Sequence, residues 1–252
     1  MSDGRIWTAA LVVIGDEILS GRTQDKNVAQ VASWMNEQGI RLAEVRIVPD
    51  EASRIADTVN KLRAKHDYVF TTGGIGPTHD DITVDAVAQA FGVPVVVHPA
   101  ARKILEDYYR DRPGWLTPTR LRMARVPEGA ELIPNPSSGA PGVKIGNVYI
   151  LAGVPNIAAS MLEALTGNLQ GGRPIVSVTV GARAPESDVA DLLRETEAAH
   201  PGCAIGSYPF YKDGYGANFV IRSEDGELAQ RTGEDLAQRL REAGYEPVEG
   251  GI

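Results

Sequence analysis

The chain has 252 residues, of which 43% are hydrophobic and 23% charged, with a net charge of −8. That is ordinary globular material, enough for one large domain or a large and a small one, and its acidic balance argues against a nucleic-acid or anionic-membrane partner. The single cysteine, Cys203, cannot close an internal disulfide and reads as a small packing residue; with neither a signal-peptide pattern at Met1 to Trp7 nor an apolar run approaching about 18 residues, a cytoplasmic protein is expected.

Trp7 to Ile14 is nearly continuously apolar, the pattern of a strand buried on both faces. It runs into Gly15-Asp16-Glu17-Ile18. Ligands of open α/β sheets bind outside the carboxyl ends of strands, so Asp16 and Glu17 either bring an acidic pair to a site or simply begin a solvated turn. Val28, Val31, Trp34 and Met35 then recur at helical spacing, and Gly39 is a natural stop. Leu42 to Val48 alternates as a strand, and Asp50 to Lys65 reads as a helix with Ile55, Val59 and Leu62 inward.

Tyr68 to Thr72 is a short β-branched and aromatic strand, and Ile82, Ala86 and Ala90 recur at helical spacing up to Phe91-Gly92. Between them lie Gly73, Gly74 and Gly76, which allow a tight turn that aims N–H groups at an anion. The loop is neither a Walker A sequence nor a dinucleotide fingerprint. Thr78 followed by Asp81 has the form of a capping box, which places the helix start just after Thr78. On that reading Asp81 and Asp85 share a helix face and repel, and Asp81→Asn would hold or raise stability. With Asp80 they are either solvated acids on a capped surface helix or carboxylates that share a divalent metal with a bound phosphate.

Val93 to Val97 is a brief strand whose Pro94 favours an edge position. Ala100 to Arg110 is a helix, and Asp111 to Thr119 a loop carrying Trp115, either a hydrophobic plug, the commoner role, or a stacking platform. Arg120, Arg122 and Arg125 follow; spaced arginines usually lie on a surface, though one of them could meet an anionic ligand. Asn135 to Gly142 is a second turn-rich loop, and Gly142 to Leu151 reads as a hairpin about Gly146-Asn147. A helix carrying Ile157, Met161 and Leu165 closes a layered α/β domain.

The polar, glycine-rich stretch from Gly167 to Pro174 marks the boundary, giving domains 1–170 and 171–252. The second reads β-α-β-β-α over Ile175 to Ala243, a ferredoxin-like α+β arrangement suited to support or dimerisation.

Thr72-Gly-Gly-Ile-Gly-Pro-Thr-His-Asp-Asp-Ile-Thr83 resembles the signature of the MoaB/MogA/CinA superfamily, and its Pro77 to Asp81 portion is closest to the CinA branch. Ile14 to Asn27 is similar to the opening motif of short CinA-like proteins and of the N-terminal domain of eukaryotic FAD synthases. Departures occur at Ser138-Gly139 and at Ala152, where the family usually has proline. The resemblance implies a three-layer α/β/α molybdopterin-binding-like domain and places Gly73, Gly74, Gly76, Asp81 and Asp85 on the family's glycine and acidic positions. It further implies metal-dependent hydrolysis of a nucleotide diphosphate such as ADP-ribose or FAD, releasing AMP, with Mg²⁺, Mn²⁺ or Co²⁺. Thr72, Gly73, Gly74, Gly76, Thr78, Ser138 and Gly139 would then bind phosphate; Asp80, Asp81 and Asp85 would act in catalysis, and Asp16, Glu17 and Asp81 would hold metal. The alternatives are a pterin-binding protein of molybdenum-cofactor metabolism and a non-catalytic nucleotide-binding scaffold. A homodimer or other homo-oligomer is expected, with Lys212 or Arg222 available to a neighbouring subunit. Longer CinA proteins continue into an amidase domain, so amide hydrolysis is not expected of these residues.

Overall fold

The computed structural model describes residues 5–110, 115–211 and 214–252, and the chain divides into one unit ending at Gly172 and another beginning at Arg173. The first unit is organised around β1 (Trp7–Ile14), which leads into the one-turn helix α1 (Asp16–Leu19) and pairs in parallel with β2 (Ile40–Val48) on one side and β3 (Tyr68–Thr72) on the other. Strand β8 (Val148–Leu151) continues the sheet in parallel beside β3, followed by antiparallel β7 (Gly142–Ile145) and β6 (Glu131–Ile133), in the order β2-β1-β3-β8-β7-β6.

The nearly continuous apolar run of β1 follows from this central place, because side chains alternate between two faces that are both covered. Ala9, Leu11 and Val13 pack with Phe70 under α2 (Asn27–Glu37) and α7 (Pro155–Leu165), where Val31, Met35, Met161 and Leu162 face the sheet. Ala10, Val12 and Ile14 pack on the other side under α3 (Ala52–Arg63) and α4 (Thr83–Phe91), through Ile55, Val59, Leu62, Ala86 and Val87. The result is the three-layer α/β/α arrangement. Phe70, fully buried, stacks on Tyr149 with ring centroids 4.8 Å apart; burying a side chain of that size stabilises by about 1.5–3 kcal/mol.

Several local expectations are corrected. Helix α4 begins at Thr83 rather than after Thr78, since Thr83 donates its N–H to the Gly74 carbonyl and its hydroxyl to the Gly73 carbonyl, closing a loop before the first helical turn. The strand after Pro94, β4 (Val95–Val97), pairs only with β5 (Arg125–Pro127), in a ribbon outside the main sheet. Helices α5 (Pro99–Tyr109) and α6 (Pro118–Leu121) accompany it over a small core of Ala101, Leu105 and Ala124. Trp115 is no plug: it is 77% exposed. The first four residues of its loop, 111–114, lie outside the described residues. The hairpin turn at Gly146 does have the left-handed φ of 56° that glycine favours.

The second unit runs β9 (Val176–Ala182), α8 (Glu186–Ala199), β10 (Ala204–Phe210), β11 (Gly216–Ser223) and α9 (Gly226–Glu242), and adds a short β12 (Pro247–Glu249) beyond the expected order. Its antiparallel sheet, β10-β11-β9-β12, packs Val180, Phe219 and Ile221 against Val189, Leu236 and Leu240 in a ferredoxin-like α+β unit. Cys203 is half-buried against this core and lies 3.2 Å from the Thr232 hydroxyl. Arg222 bonds the Tyr208 hydroxyl of its own sheet, while Lys212 lies outside the described residues. Among the described residues no helix is long and apolar enough to cross a membrane.

Candidate functional site

The chain leaves β1 to one side for β2 and later crosses to the other side for β3, so the sheet has a switch point between the carboxyl ends of β1 and β3. A cavity of about 790 Å³ opens there, walled by Ile14-Gly15 after β1, Gly73 to Pro77 after β3 and Ala152 to Pro155 after β8. Its acidic groups are Glu17, Asp50, Asp80 and Asp81, and Tyr108, Tyr109, Met123 and Ile157 supply apolar wall.

Gly73 and Gly74 have φ of 105° and 66°, in the left-handed region. A Cβ on Gly73 would stand 2.2 Å from the Ile14 carbonyl oxygen, so glycine is what lets β3 turn directly over the end of β1. The N–H groups of Gly74 and Ile75 have no partner among the described residues. That of Gly76 is not free, because it donates to Asp81 Oδ1 at 2.7 Å.

Asp81 is the inner fastener of this loop. Its other oxygen accepts from the Thr78 N–H at 2.7 Å and from the Thr78 hydroxyl. Both carboxylate oxygens are therefore engaged within the loop, so the Gly76 and Thr78 N–H groups, expected to bind phosphate, are turned onto Asp81. Asp85 is ion-paired with Arg125 behind the loop and does not line the main cavity. The expected repulsion between Asp81 and Asp85 is absent for the same reasons: one lies before the helix, the other is neutralised. Of the neighbouring arginines, Arg122 is half-buried with its Nε unpartnered beside Asp85, and Arg120 lies over the Tyr109 ring at 4.4 Å.

The second loop is fastened in the same manner by Asn135. Its side-chain oxygen accepts from the Ser137 and Ser138 N–H groups, and its amide donates to Ser138 Oγ at 2.6 Å and to the Ala140 carbonyl at 2.7 Å. The N–H of Gly139 donates to the Asn135 carbonyl. Ser138 lines the cavity, but the backbone N–H groups of Ser138 and Gly139 are committed within the loop rather than offered to an anion. Thr72 is buried with its hydroxyl unpartnered, and the residue borders a neighbouring cavity instead of the main one.

Asp16 is exposed and outside the main cavity, whereas Glu17 lines it. Asp50 is the acidic residue that sequence reasoning passed over. It follows β2 and accepts the Asp16 N–H at 2.9 Å. Burial pushes its carboxyl above the ordinary range, opposed by that hydrogen bond and reinforced by the negative charges of Asp16, Glu17 and Asp80. Its position at the carboxyl end of a strand beside β1 was the available signal.

The fit to a divalent metal rests on this donor set. Among the described residues no three His, Cys, Asp or Glu side chains stand close enough to hold an ion alone. Mg²⁺, however, takes one or two carboxylates when substrate phosphates complete its shell, and the under-neutralised charge about Asp50 is what a cation would relieve.

Residues 10–170 match the family described as "probable molybdopterin binding domain", and residues 174–249 match "FAD synthase, middle domain". A protein of Aeropyrum pernix is 35% identical over 216 residues, covering 81% of this chain and 79% of the relative. A CinA-like protein of Citrifermentans bemidjiense is 34% identical over 242 residues, covering 92% of this chain and 58% of the relative. The crystal structure of CinA from Thermoplasma acidophilum, a protein of unknown function, matches with a TM-score of 0.60 at 31% identity, over 65% of this chain and 98% of that one. Fold and cavity thus define a domain of the molybdopterin-binding type. The chain belongs to that family, as one of its CinA-like members.

Proposed function

We propose that the protein hydrolyses the diphosphate bond of a dinucleotide-like substrate of the ADP-ribose or FAD type, releasing AMP. The observation that carries this reading is one cavity that combines the unpartnered N–H groups of Gly74 and Ile75 with the carboxylates of Glu17, Asp50 and Asp80. Its volume of about 790 Å³ suits a ligand of that size. The second unit's likeness to the middle domain of FAD synthase favours a nucleotide over other phosphate esters.

In this reading the N–H groups of Gly74 and Ile75 bind a phosphate oxygen, and the left-handed turn holds them fixed. Glu17 and Asp80 would hold a Mg²⁺, Mn²⁺ or Co²⁺ ion, which supplies Lewis-acid polarisation of the phosphoryl oxygen when bound. Asp50, whose raised pKa makes it the better proton acceptor, takes a proton from the attacking water. Water oxygen bonds to one phosphorus, the bridging P–O bond breaks, and the bridging oxygen leaves on the other phosphate. The test is incubation with ADP-ribose, FAD and NAD plus each metal, with AMP as the expected product; no AMP from any of them would refute the reading.

Asp50→Asn separates the roles of this carboxylate. Its folded-state pKa is raised, so ionisation costs stability above that pKa and the cost is relieved as pH falls through it. The variant can still accept the Asp16 N–H. It is expected to melt higher than the parent at pH 7, to lose this advantage as pH falls below the ordinary carboxyl range, and to release no AMP. Equal melting temperatures at pH 7 would show that the carboxylate carries no uncompensated charge.

A pterin phosphate is the second reading, favoured by the family's description and by the apolar wall of Tyr108, Tyr109, Met123 and Ile157. Tight molybdopterin binding without AMP release would select it.

A further inference from the structure

A separate cavity of about 530 Å³ meets the main one at Tyr109, which borders both. Its other walls include Trp115, Leu116, Pro118 and Leu121. Of the three tryptophans, Trp7 stacks on Tyr68 and Trp34 meets Phe70 edge-on, whereas Trp115 has no ring partner among the described residues and is 77% exposed.

That exposed indole is held in place by its backbone. Among the described residues Trp115 alone, glycines aside, has a positive φ, at 41°. Bulky residues rarely adopt this conformation, and such strain clusters at ligand sites. The Trp115 carbonyl accepts from Arg120 Nη1 at 2.7 Å, and the Arg120 guanidinium lies 4.4 Å from the centre of the Tyr109 ring. Thr117 caps α6 by accepting the Arg120 N–H at 3.2 Å. Arg120 thus ties the backbone that carries the indole to the ring that walls the main cavity.

The charges on the walls are already paired. Arg102 bonds Glu106 at 2.7 Å, and Arg110 is ion-paired with Asp107, which disfavours a phosphate in this cavity. The remaining wall is apolar and ends in an open indole face. An uncharged planar ring suits such a face, because stacking asks only for a second π surface.

We infer that this cavity receives the planar heteroaromatic ring at one end of the substrate, stacked on the Trp115 indole, while the diphosphate lies at Gly74 and Ile75 and the link between them passes Tyr109. The inference rests on the nucleotide reading above and places the ring that reading left unplaced. Trp115 is then a binding residue that selects ring-bearing ligands over sugar phosphates, and Arg120 is a positioning residue that holds it.

The test titrates the full chain by calorimetry with AMP, FMN and ribose 5-phosphate. At least one of the two ring-bearing ligands is expected to bind the parent about tenfold more tightly than ribose 5-phosphate, the scale of one base stacked on an aromatic side chain. Trp115→Ala should remove that preference without changing the affinity for ribose 5-phosphate, and Trp115→Phe should keep most of it. Trp115→Ala should melt with the parent, since the side chain it removes is exposed. In NMR spectra of the parent, the indole N–H signal that is missing from Trp115→Ala should shift when the ring-bearing ligand is added. No preference in the parent, or a preference that survives in Trp115→Ala, overturns the inference. A lower sedimenting mass for Trp115→Ala with unchanged ligand affinities would make the indole a contact between copies of the chain and overturn it too. If a ring-bearing ligand binds through Trp115 but neither ADP-ribose nor FAD is hydrolysed, the hydrolysis reading fails and the ring site stands. If AMP is released with the same KM by parent and Trp115→Ala, hydrolysis stands and the ring site fails.

Discussion

Asp81→Ala is expected to lower AMP release about 100-fold while leaving the β-sheet core intact, the scale of loss that follows when a binding loop is misplaced by about an ångström. The carboxylate accepts from the Gly76 N–H, the Thr78 N–H and the Thr78 hydroxyl, and hydrogen bonds to a charged group are worth about 1.5–3 kcal/mol each. This loop is partly exposed, so the low end of that range applies, and the loss falls on the loop rather than on the fold. Asp81→Asn is expected to fail as well. Its one acceptor oxygen can serve only one side of the loop, and its NH₂ then faces an N–H donor on the other. Amide exchange at Gly76 and Thr78 is the direct readout: fast exchange in both variants is expected, and parent-like protection in Asp81→Ala would show that the loop holds its shape by other means.

Gly73→Ala is expected to destabilise the first unit strongly. A left-handed φ of 105° costs a residue with a Cβ about 1–3 kcal/mol, and here the added Cβ would also stand 2.2 Å from the Ile14 carbonyl oxygen. That oxygen belongs to the central strand and cannot swing aside as a side chain would. A loss of at least about 3 kcal/mol, or roughly 10 °C in melting temperature for a unit of this size, is expected. Gly92→Ala supplies the comparison. Its φ is 67°, but nothing lies within 4 Å of the added atom, so only about 1 kcal/mol should be lost. Similar losses in the two variants would show that backbone strain, not the approach of β3 to β1, is what Gly73 serves.

The parts of the fold legible in the sequence are those set by local periodicity. The apolar run of β1, the inward positions Ile55, Val59 and Leu62 of α3, and the hairpin at Gly146-Asn147 each follow from neighbours a few residues away. What escaped depends on distant partners. Nothing near Asp85 in sequence reveals that Arg125 neutralises it, and nothing near Asp50 shows the burial that raises its pKa or the charges of Asp16, Glu17 and Asp80 that add to it. Asp81 was misread for a subtler reason. A threonine followed three residues later by an acid has the spacing of a helix cap, but the same spacing also closes a turn, and the bonds from Thr83 to the Gly73 and Gly74 carbonyls decide for the turn. The ribbon of β4 and β5 and the short β12 span three residues each, too few for a periodic signal.

The two loops at the cavity mouth owe their shape to single residues, Asp81 in one and Asn135 in the other, each bonded to its own loop and not to its neighbour. Such loops are stiff before any ligand arrives, so little ordering entropy is lost when one binds. They are also modular. The outward side chains of either loop can change without disturbing the other, since neither fastener bonds across the gap. One rigid frame can therefore accept different ligands as residues such as Ser138 and Pro77 are exchanged, with the sheet and its switch point left as they are.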